Sequence, residues 1–293
     1  MQKEYENIEM QEATVAFTGH LSKEELDAVG LGSMYFALFS AALTAAIGFA
    51  VNGVFAQAFG SKQFEELVVH LQRSLIISTF FFIGFTFFFL LNSEYILVWM
   101  APDEKVSTMA GQFLLILLPG AYFRTLYQIL AKYLESQNVA LPTMLTSIVS
   151  AIASILFCLI FVNYCEWRLV GASLALSLSY AIMPFVVLLT AFYYERMWDR
   201  RIFKLRWTLL FSWAELSQLI SLSYLSSFAT YLIGDIGPFL AGLLGATELG
   251  AQSVLVHFSN FFYFVPVGLG SACTTRIGFV FSSLSAFKKH LAL

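Results

Sequence analysis

The chain has 293 residues, of which 59% are hydrophobic and only 12% are charged, and phenylalanine alone contributes 31. A water-soluble domain carries about 25% charged residues, so this composition excludes a soluble globular protein and predicts a polytopic membrane protein. The net charge of −3 and the lack of a basic run exclude a dedicated nucleic-acid-binding protein.

Seven stretches of the chain are apolar over about 20 residues or more, the length that an α-helix needs to cross a bilayer. In chain order they cover 28–58, 74–98, 109–134, 141–164, 169–194, 214–243 and 250–272. Polar connectors separate them, and no stretch shows the roughly ten-residue alternation of membrane β-strands. The sequence therefore predicts an all-α, polytopic transmembrane bundle with about seven spans.

The third of these spans carries a basic residue, Arg124, roughly two helical turns before Lys132. A long basic side chain within a span either extends its charged end to the membrane surface or pairs with an acid inside the bundle. The first interpretation places the guanidinium of Arg124 at the cytoplasmic face. The second places it in a central cavity.

Basic residues in the connectors predict the orientation of the bundle, because cytoplasmic loops are enriched in lysine and arginine. The connector after the fifth span carries five of them: Arg196, Arg200, Arg201, Lys204 and Arg206. A cytoplasmic position for this connector puts the N-terminus outside, although the acidic first residues contain no signal peptide. We therefore expect that one span is missing before residue 28.

The sixth span carries an acid, Asp235, within TYLIGDIGPFLAGLLG (230–245). A carboxylate within a membrane costs about 2.5–3.5 kcal/mol on insertion scales, so we expect it to have a use. Pro238 cannot donate a backbone hydrogen bond and leaves the carbonyl of Gly234 without its helical partner. The pattern predicts a carboxylate at a kink that binds a cation or a proton. A polar residue satisfied locally, or one at the outer interface, is the alternative.

Two similar segments indicate an internal repeat. EELDAVGL (24–31) and TELGAQSV (247–254) share the pattern E-L-x-A, and each opens an apolar span. We therefore expect this chain to be part of a longer protein of two repeats, cut at both ends.

Motifs of enzymes are not found in the sequence. The three cysteines show neither paired spacing nor a histidine companion, and no metal-binding spacing, nucleophile elbow or phosphate loop occurs. We expect a protein that is not an enzyme and has no cofactor and no metal site.

Several stretches, in the same order along residues 17–278, resemble the multidrug and toxin extrusion (MATE) family, particularly its animal branch. They include FTGHLSKEELDAVGL, AQAFGSKQ, HLQRS, AKYLESQNVALP, LVGASLA, FLAGLLGATELGAQSV and VPVGLGSACTTRIG. Family members have twelve helices in two lobes of six. The resemblance implies that residues 1–208 form the N-lobe, without most of its first helix, and the cytoplasmic connector. Residues 209–278 then form the first two helices of the C-lobe, and 279–293 a divergent tail.

The resemblance also implies a function. Complete animal members export organic cations or xenobiotics in exchange for protons. We therefore expect a multi-pass transporter of the plasma membrane. The expected coupling ion is the proton, and Na⁺ is the alternative. One rival is a non-transporting truncated isoform or fragment that pairs with a full-length copy. A seven-helix receptor is a second rival, but it does not account for the E-L-x-A repeat.

Four candidate coupling residues follow from the resemblance. Asp235 falls on a family glutamate and keeps the acid, whereas Thr230 falls on the principal proton-coupling glutamate. His257 falls on a glutamate of helix eight, and Asn52 on an aspartate of helix two. These three replacements put unchanged proton coupling in question. An unperturbed imidazole titrates near neutrality, so His257 could still bind a proton, or it could be a packed histidine. Asn52 could instead bridge two helices.

Three further residues are candidates for binding the cargo. Tyr231 and Tyr263 could present aromatic faces to an amine, although packing against other helices is the competing interpretation. Gln252, in the well-matched GAQS segment, could form a hydrogen bond between helices.

Overall fold

A computed structural model describes residues 22–100, 104–193, 213–244 and 266–278, together with Gln252, Leu255, Phe262 and Val280. We number its helices α1 to α8 in chain order. Helix α1 consists of Lys23–Phe36, a π-helical turn at Ala37–Ala41 and Ala42–Gly60. Helix α2 consists of Phe64–Phe81, a π-helical turn at Phe82–Phe87 and Phe88–Leu91. A short helix α3 covers Ser93–Met100, and α4 covers Glu104–Ser136. Helix α5 consists of Leu141–Cys158 and a π-helical turn at Leu159–Tyr164, and α6 covers Arg168–Tyr193. Helix α7 covers Trp213–Leu244, and α8 covers 266–278.

The all-α prediction is confirmed, since the described part of the chain contains helices and no strand. Among the residues that the structure describes, six helices are long and apolar enough to cross a membrane: Glu24–Gly60, Phe64–Leu91, Glu104–Ser136, Leu141–Tyr164, Arg168–Tyr193 and Trp213–Gly234. They correspond to the first six predicted spans. The seventh, 250–272, lies largely outside the described residues, and its described end belongs to α8.

The predicted boundaries of the second span, 74–98, are wrong. The helix begins at Phe64 because Glu65 and Glu66 occupy its first turn, where the helix dipole favours acidic side chains, although a search for apolar residues skips them. The helix ends before Asn92, whose side-chain amide donates a hydrogen bond to the Phe88 carbonyl at 2.8 Å.

The buried and exposed faces of α5 are reversed relative to a helix of a soluble protein. Its buried side includes hydroxyl residues that bond to their own backbone: Thr143, Thr146, Ser147 and Ser150. Its exposed side carries Ile148, Ile152 and Ile155. An apolar exterior around a partly polar interior is expected when lipid rather than water surrounds the helix.

Helix α4 is the centre of the bundle and packs against α1, α2, α3, α5 and α6. It approaches α6 most closely at Gly120, where a Cβ atom would lie only 2.6 Å from Cα of Ser177. Small residues allow such backbone-to-backbone approach between membrane helices. The hydroxyl groups of Thr44 on α1 and Thr125 on α4 are 3.1 Å apart, which joins a second helix to the same centre.

Helix α1 also packs against α2 and α7. Its π-helical turn leaves backbone carbonyls available to neighbouring helices. Thr86 of α2 donates a hydrogen bond to the carbonyl of Phe39 at 3.0 Å, and Tyr224 of α7 donates one to Leu38 at 3.5 Å. The irregular turn thereby fixes where three helices meet.

The two ends of the bundle differ in how they are held together. At the end where α1, α4 and α6 begin, Arg168 donates a hydrogen bond to Glu25 at 2.8 Å, and Lys105 pairs with Glu24. At the opposite end α4 turns sharply into α5, with Asn138 in the left-handed conformation at φ 59°. This second end is the one that the connector charges predict to be cytoplasmic.

Candidate functional site

A cavity of ≈ 630 Å³ lies between α1, α4 and the start of α5 on one side and α7 and α8 on the other. This volume is within the range of about 300–1,000 Å³ that is typical of small-molecule sites. The cavity extends from Thr44 of α1, within the bundle, to Asn138 and Ala140 of the exposed α4–α5 connector. It therefore reaches the surface at the predicted cytoplasmic end.

Most of the charged residues in the described lining of this cavity are basic. Arg124, Lys132 and Arg276 line it against a single carboxylate, that of Glu135. Arg124 is buried, Lys132 is partly buried and Arg276 is exposed, so the basic side chains extend from the mouth of the cavity inward.

Arg124 is the most unusual of these residues because only 6% of it is exposed. Its guanidinium carbon lies 5.7 Å from the ring centre of Phe36 and 5.5 Å from that of Tyr180. Its Nε and Nη1 atoms have no hydrogen-bond partner within the described part of the chain. Aromatic faces stabilise the charge but accept no conventional hydrogen bond from these two atoms. The burial is inconsistent with a side chain that extends to the membrane surface.

Lys132 joins α4 to α8 near the mouth of the cavity. Its ammonium group donates a hydrogen bond to the hydroxyl of Ser271 at 3.1 Å and pairs with Glu135 at 3.2 Å. Helix α8 also touches α1, where a Cβ atom at Gly278 would lie 2.7 Å from Cβ of Ala56. These contacts close the cavity on the side of α8.

One of the predicted cargo residues, Tyr231, lines this cavity together with Arg124. Thr230, the preceding residue, is exposed, and its hydroxyl donates a hydrogen bond to the Ser226 carbonyl at 3.0 Å. Asn52 is 4% exposed on α1, and its Oδ1 atom has no hydrogen-bond partner among the described residues. That oxygen therefore forms no helix bridge to another described residue.

The other predicted residues lie at or beyond the limit of the described structure. The backbone of Asp235 is helical within α7, one turn after Tyr231. Gln252 is partly buried, and its amide nitrogen would lie 2.9 Å from a Cβ atom at Gly237. This places Gln252 close to the segment that follows Asp235. His257 and Tyr263 are outside the described residues.

Arg124 and Lys132 stand out in the sequence, whereas Gln128 and the face of α4 that all three share were not predicted. Arg124, Gln128 and Lys132 all line the cavity and recur at intervals of four residues. Side chains at this interval share one face of a helix, and this was the signal that could have identified them. The four-residue spacing indicates a shared helix face. That this face lines a cavity follows only from the position of α7 and α8 on the other side.

A family model described as MatE matches residues 8–160. The chain is 30% identical over 267 residues to multidrug and toxin extrusion protein 1 of Oryctolagus cuniculus, which covers 89% of this chain and 46% of that relative. It is 29% identical over 268 residues to the protein of the same name from Homo sapiens, with the same coverage. The chain thus spans about half the length of these relatives.

The fold is similar to the crystal structure of the eukaryotic MATE transporter AtDTX14, with a TM-score of 0.82 and 21% identity. That match covers 94% of this chain and 61% of that chain. At this identity the likeness establishes the fold alone, whereas the family model covers more than half of the sequence. The chain therefore belongs to the MatE family and is an integral, multi-pass membrane protein.

Proposed function

We propose that the protein is a transporter of the multidrug and toxin extrusion type, which exports organic cations and other small xenobiotics across the plasma membrane in exchange for protons. The observation that carries this proposal is the cavity between α1, α4 and α5 and the pair α7 and α8. A cleft between two groups of helices is where alternating-access transporters bind their cargo. Its volume and its opening at one end suit a small organic molecule.

Asp235 is the residue that we propose for exchange between cargo and proton. It lies on α7 one turn beyond Tyr231, which lines the cavity. A carboxylate in a site of low polarity binds either a cation or a proton, so each displaces the other. This competition is the elementary step of antiport.

The proposal is tested by efflux of a permanently charged fluorescent cation, (1-naphthylmethyl)trimethylammonium, from loaded cells that express the chain. A quaternary cation does not accumulate passively in response to pH. We expect efflux to increase with external acidity and to fall at least tenfold in Asp235→Asn. The matched control is Ser217→Ala, near the start of the same helix, where the hydroxyl donates a hydrogen bond to the Ala214 carbonyl of that helix. Efflux unchanged by Asp235→Asn would remove this residue from the mechanism.

The same assay addresses the alternative, a non-transporting form that pairs with a full-length copy. That alternative predicts no efflux when the chain is expressed alone, and altered efflux when a full-length relative is expressed with it. Efflux by the chain alone would contradict it.

A further inference from the structure

The charge of the described cavity lining does not match a site built for cations alone. Organic cations are attracted by carboxylates and aromatic faces. The described lining instead contains three basic side chains and one carboxylate, and that carboxylate, Glu135, already pairs with Lys132. Arg124 and Arg276 thus carry positive charge into the cavity with no acidic partner among the described residues that line it.

We propose that Arg124, Lys132 and Arg276 form a subsite for a carboxylate, so that the cavity selects cargo that carries an acidic group in addition to an aromatic or cationic part. The proposal rests on the proposed function in taking the cavity as the cargo site. Zwitterions such as aromatic amino acids or betaines belong to this class.

The buried guanidinium of Arg124 is the central element of the subsite. It lines the cavity, is 6% exposed, and has two nitrogen atoms, Nε and Nη1, without a hydrogen-bond partner in the described structure. Leaving a buried charged donor unsatisfied is costly, and a carboxylate is the partner whose two oxygens match the planar fork of arginine. A carboxylate bound at Arg124 would therefore complete a site that the described residues leave incomplete.

The neighbouring residues give a carboxylate a positively charged path to Arg124, with aromatic side chains beside it. Gln128 and Lys132 follow Arg124 along one face of α4, and the distance from Arg124 to Lys132 along the helix axis is about 12 Å. Arg276 stands on α8 at the exposed mouth. An anion entering from this end meets an exposed, a partly buried and a buried positive charge in turn. Phe49 and Tyr231 provide aromatic surface beside that route.

The test measures the affinity of the purified full chain in detergent for three probes with one ring system. These are 1-naphthoate, the neutral 1-naphthamide and (1-naphthylmethyl)trimethylammonium, titrated calorimetrically. We expect naphthoate to bind about tenfold or more tightly than naphthamide, the difference made by one charge-assisted pair. Equal affinity for these two probes would overturn the proposal.

Variants identify the residues that bind the carboxylate. Arg124→Gln is expected to lower the affinity for naphthoate about tenfold or more, to the level of naphthamide, and to leave naphthamide unchanged. Arg168→Gln is the matched control, because Arg168 pairs with Glu25 at the opposite end of the bundle. If Arg124→Gln binds naphthoate as the wild type does, Arg124 is neutralised by a carboxylate of the chain and the proposal fails.

A second variant keeps the test decisive if Arg124→Gln does not fold. Arg276 is exposed at the mouth, so Arg276→Gln disturbs no packed interior. It is expected to weaken naphthoate binding about threefold and to make the binding less sensitive to salt, since an exposed charge acts through a screened field. Unchanged naphthoate affinity in Arg276→Gln would contradict the subsite.

The outcomes for the subsite and for transport are separable. Naphthoate binding that depends on Arg124, with no export of any probe, would support the subsite and contradict the transporter proposal. Export of the quaternary cation, with no preference for naphthoate over naphthamide, would support the transporter and overturn the subsite.

Discussion

At the scale of single residues, the sequence draws attention to charged side chains in apolar spans, but it does not assign them partners. Arg124 was identified from its position alone, with two interpretations left open. The structure shows it buried against Phe36 and Tyr180, residues that are 88 and 56 positions away. No local pattern relates such distant positions, because only the packing of α1 and α6 around α4 brings their rings to the guanidinium.

This environment leads to a prediction for Tyr180, which is fully buried beside Arg124. Tyr180→Leu removes the aromatic face and leaves a void, so we expect it to lower the free energy of unfolding by about 2–4 kcal/mol. Tyr180→Phe keeps the face and removes a hydroxyl that has no hydrogen-bond partner among the described residues. It should change stability by less than about 0.5 kcal/mol. Thermal unfolding of the two variants in detergent measures the difference, and equal destabilisation would contradict the cation–π contact.

At the scale of helices, apolar length predicted the existence and order of six spans, and it failed at boundaries where polar residues continue a helix. Helix Phe64–Leu91 has two glutamates in its first turn, which a search for apolar residues excludes, and its π-helical turn has no sequence signal of its own.

The site could be predicted only in part from the sequence, because it depends on which helices lie next to each other. Tyr231 was expected near the cargo, but the cavity also depends on α8 and on the α4–α5 connector, whose proximity is a property of packing.

The crossing of α4 and α6 gives a prediction at this scale. Gly120→Ala places a Cβ atom 2.6 Å from Cα of Ser177, closer than packed atoms allow, so the two helices must separate. We expect a loss of about 1–3 kcal/mol in the free energy of unfolding. Gly53→Ala is the matched control, because a Cβ atom there meets no atom of the described residues within 4 Å. A glycine-to-alanine change in an open helix position is neutral or favourable. Equal thermal stability of the two variants would show that the crossing is looser than described.

At the scale of the whole molecule, the composition identified a membrane protein, and the order of matched segments identified the family. Orientation remains a prediction from the connector charges. It places the α5–α6 connector outside and the mouth of the cavity in the cytoplasm.

Native cysteines allow this orientation to be measured. Cys165 is exposed in the α5–α6 connector, whereas Cys273 lies on α8 near the opposite end. A membrane-impermeant maleimide added to intact cells should label the wild type and should not label Cys165→Ser. Permeabilised cells should show labelling of Cys165→Ser at Cys273. Labelling of Cys165→Ser in intact cells, with none at Cys165, would reverse the orientation and the direction in which the cavity opens.

The central claim is that this chain, with its inter-helix cavity, moves cargo in exchange for protons. The most direct measurement uses the purified chain alone in liposomes with an acidic lumen, and follows uptake of (1-naphthylmethyl)trimethylammonium. Protons leaving the lumen should drive accumulation of the cation above that in protein-free liposomes, and a protonophore should abolish it. Uptake equal to that of protein-free liposomes, from protein shown to be folded, would contradict the account.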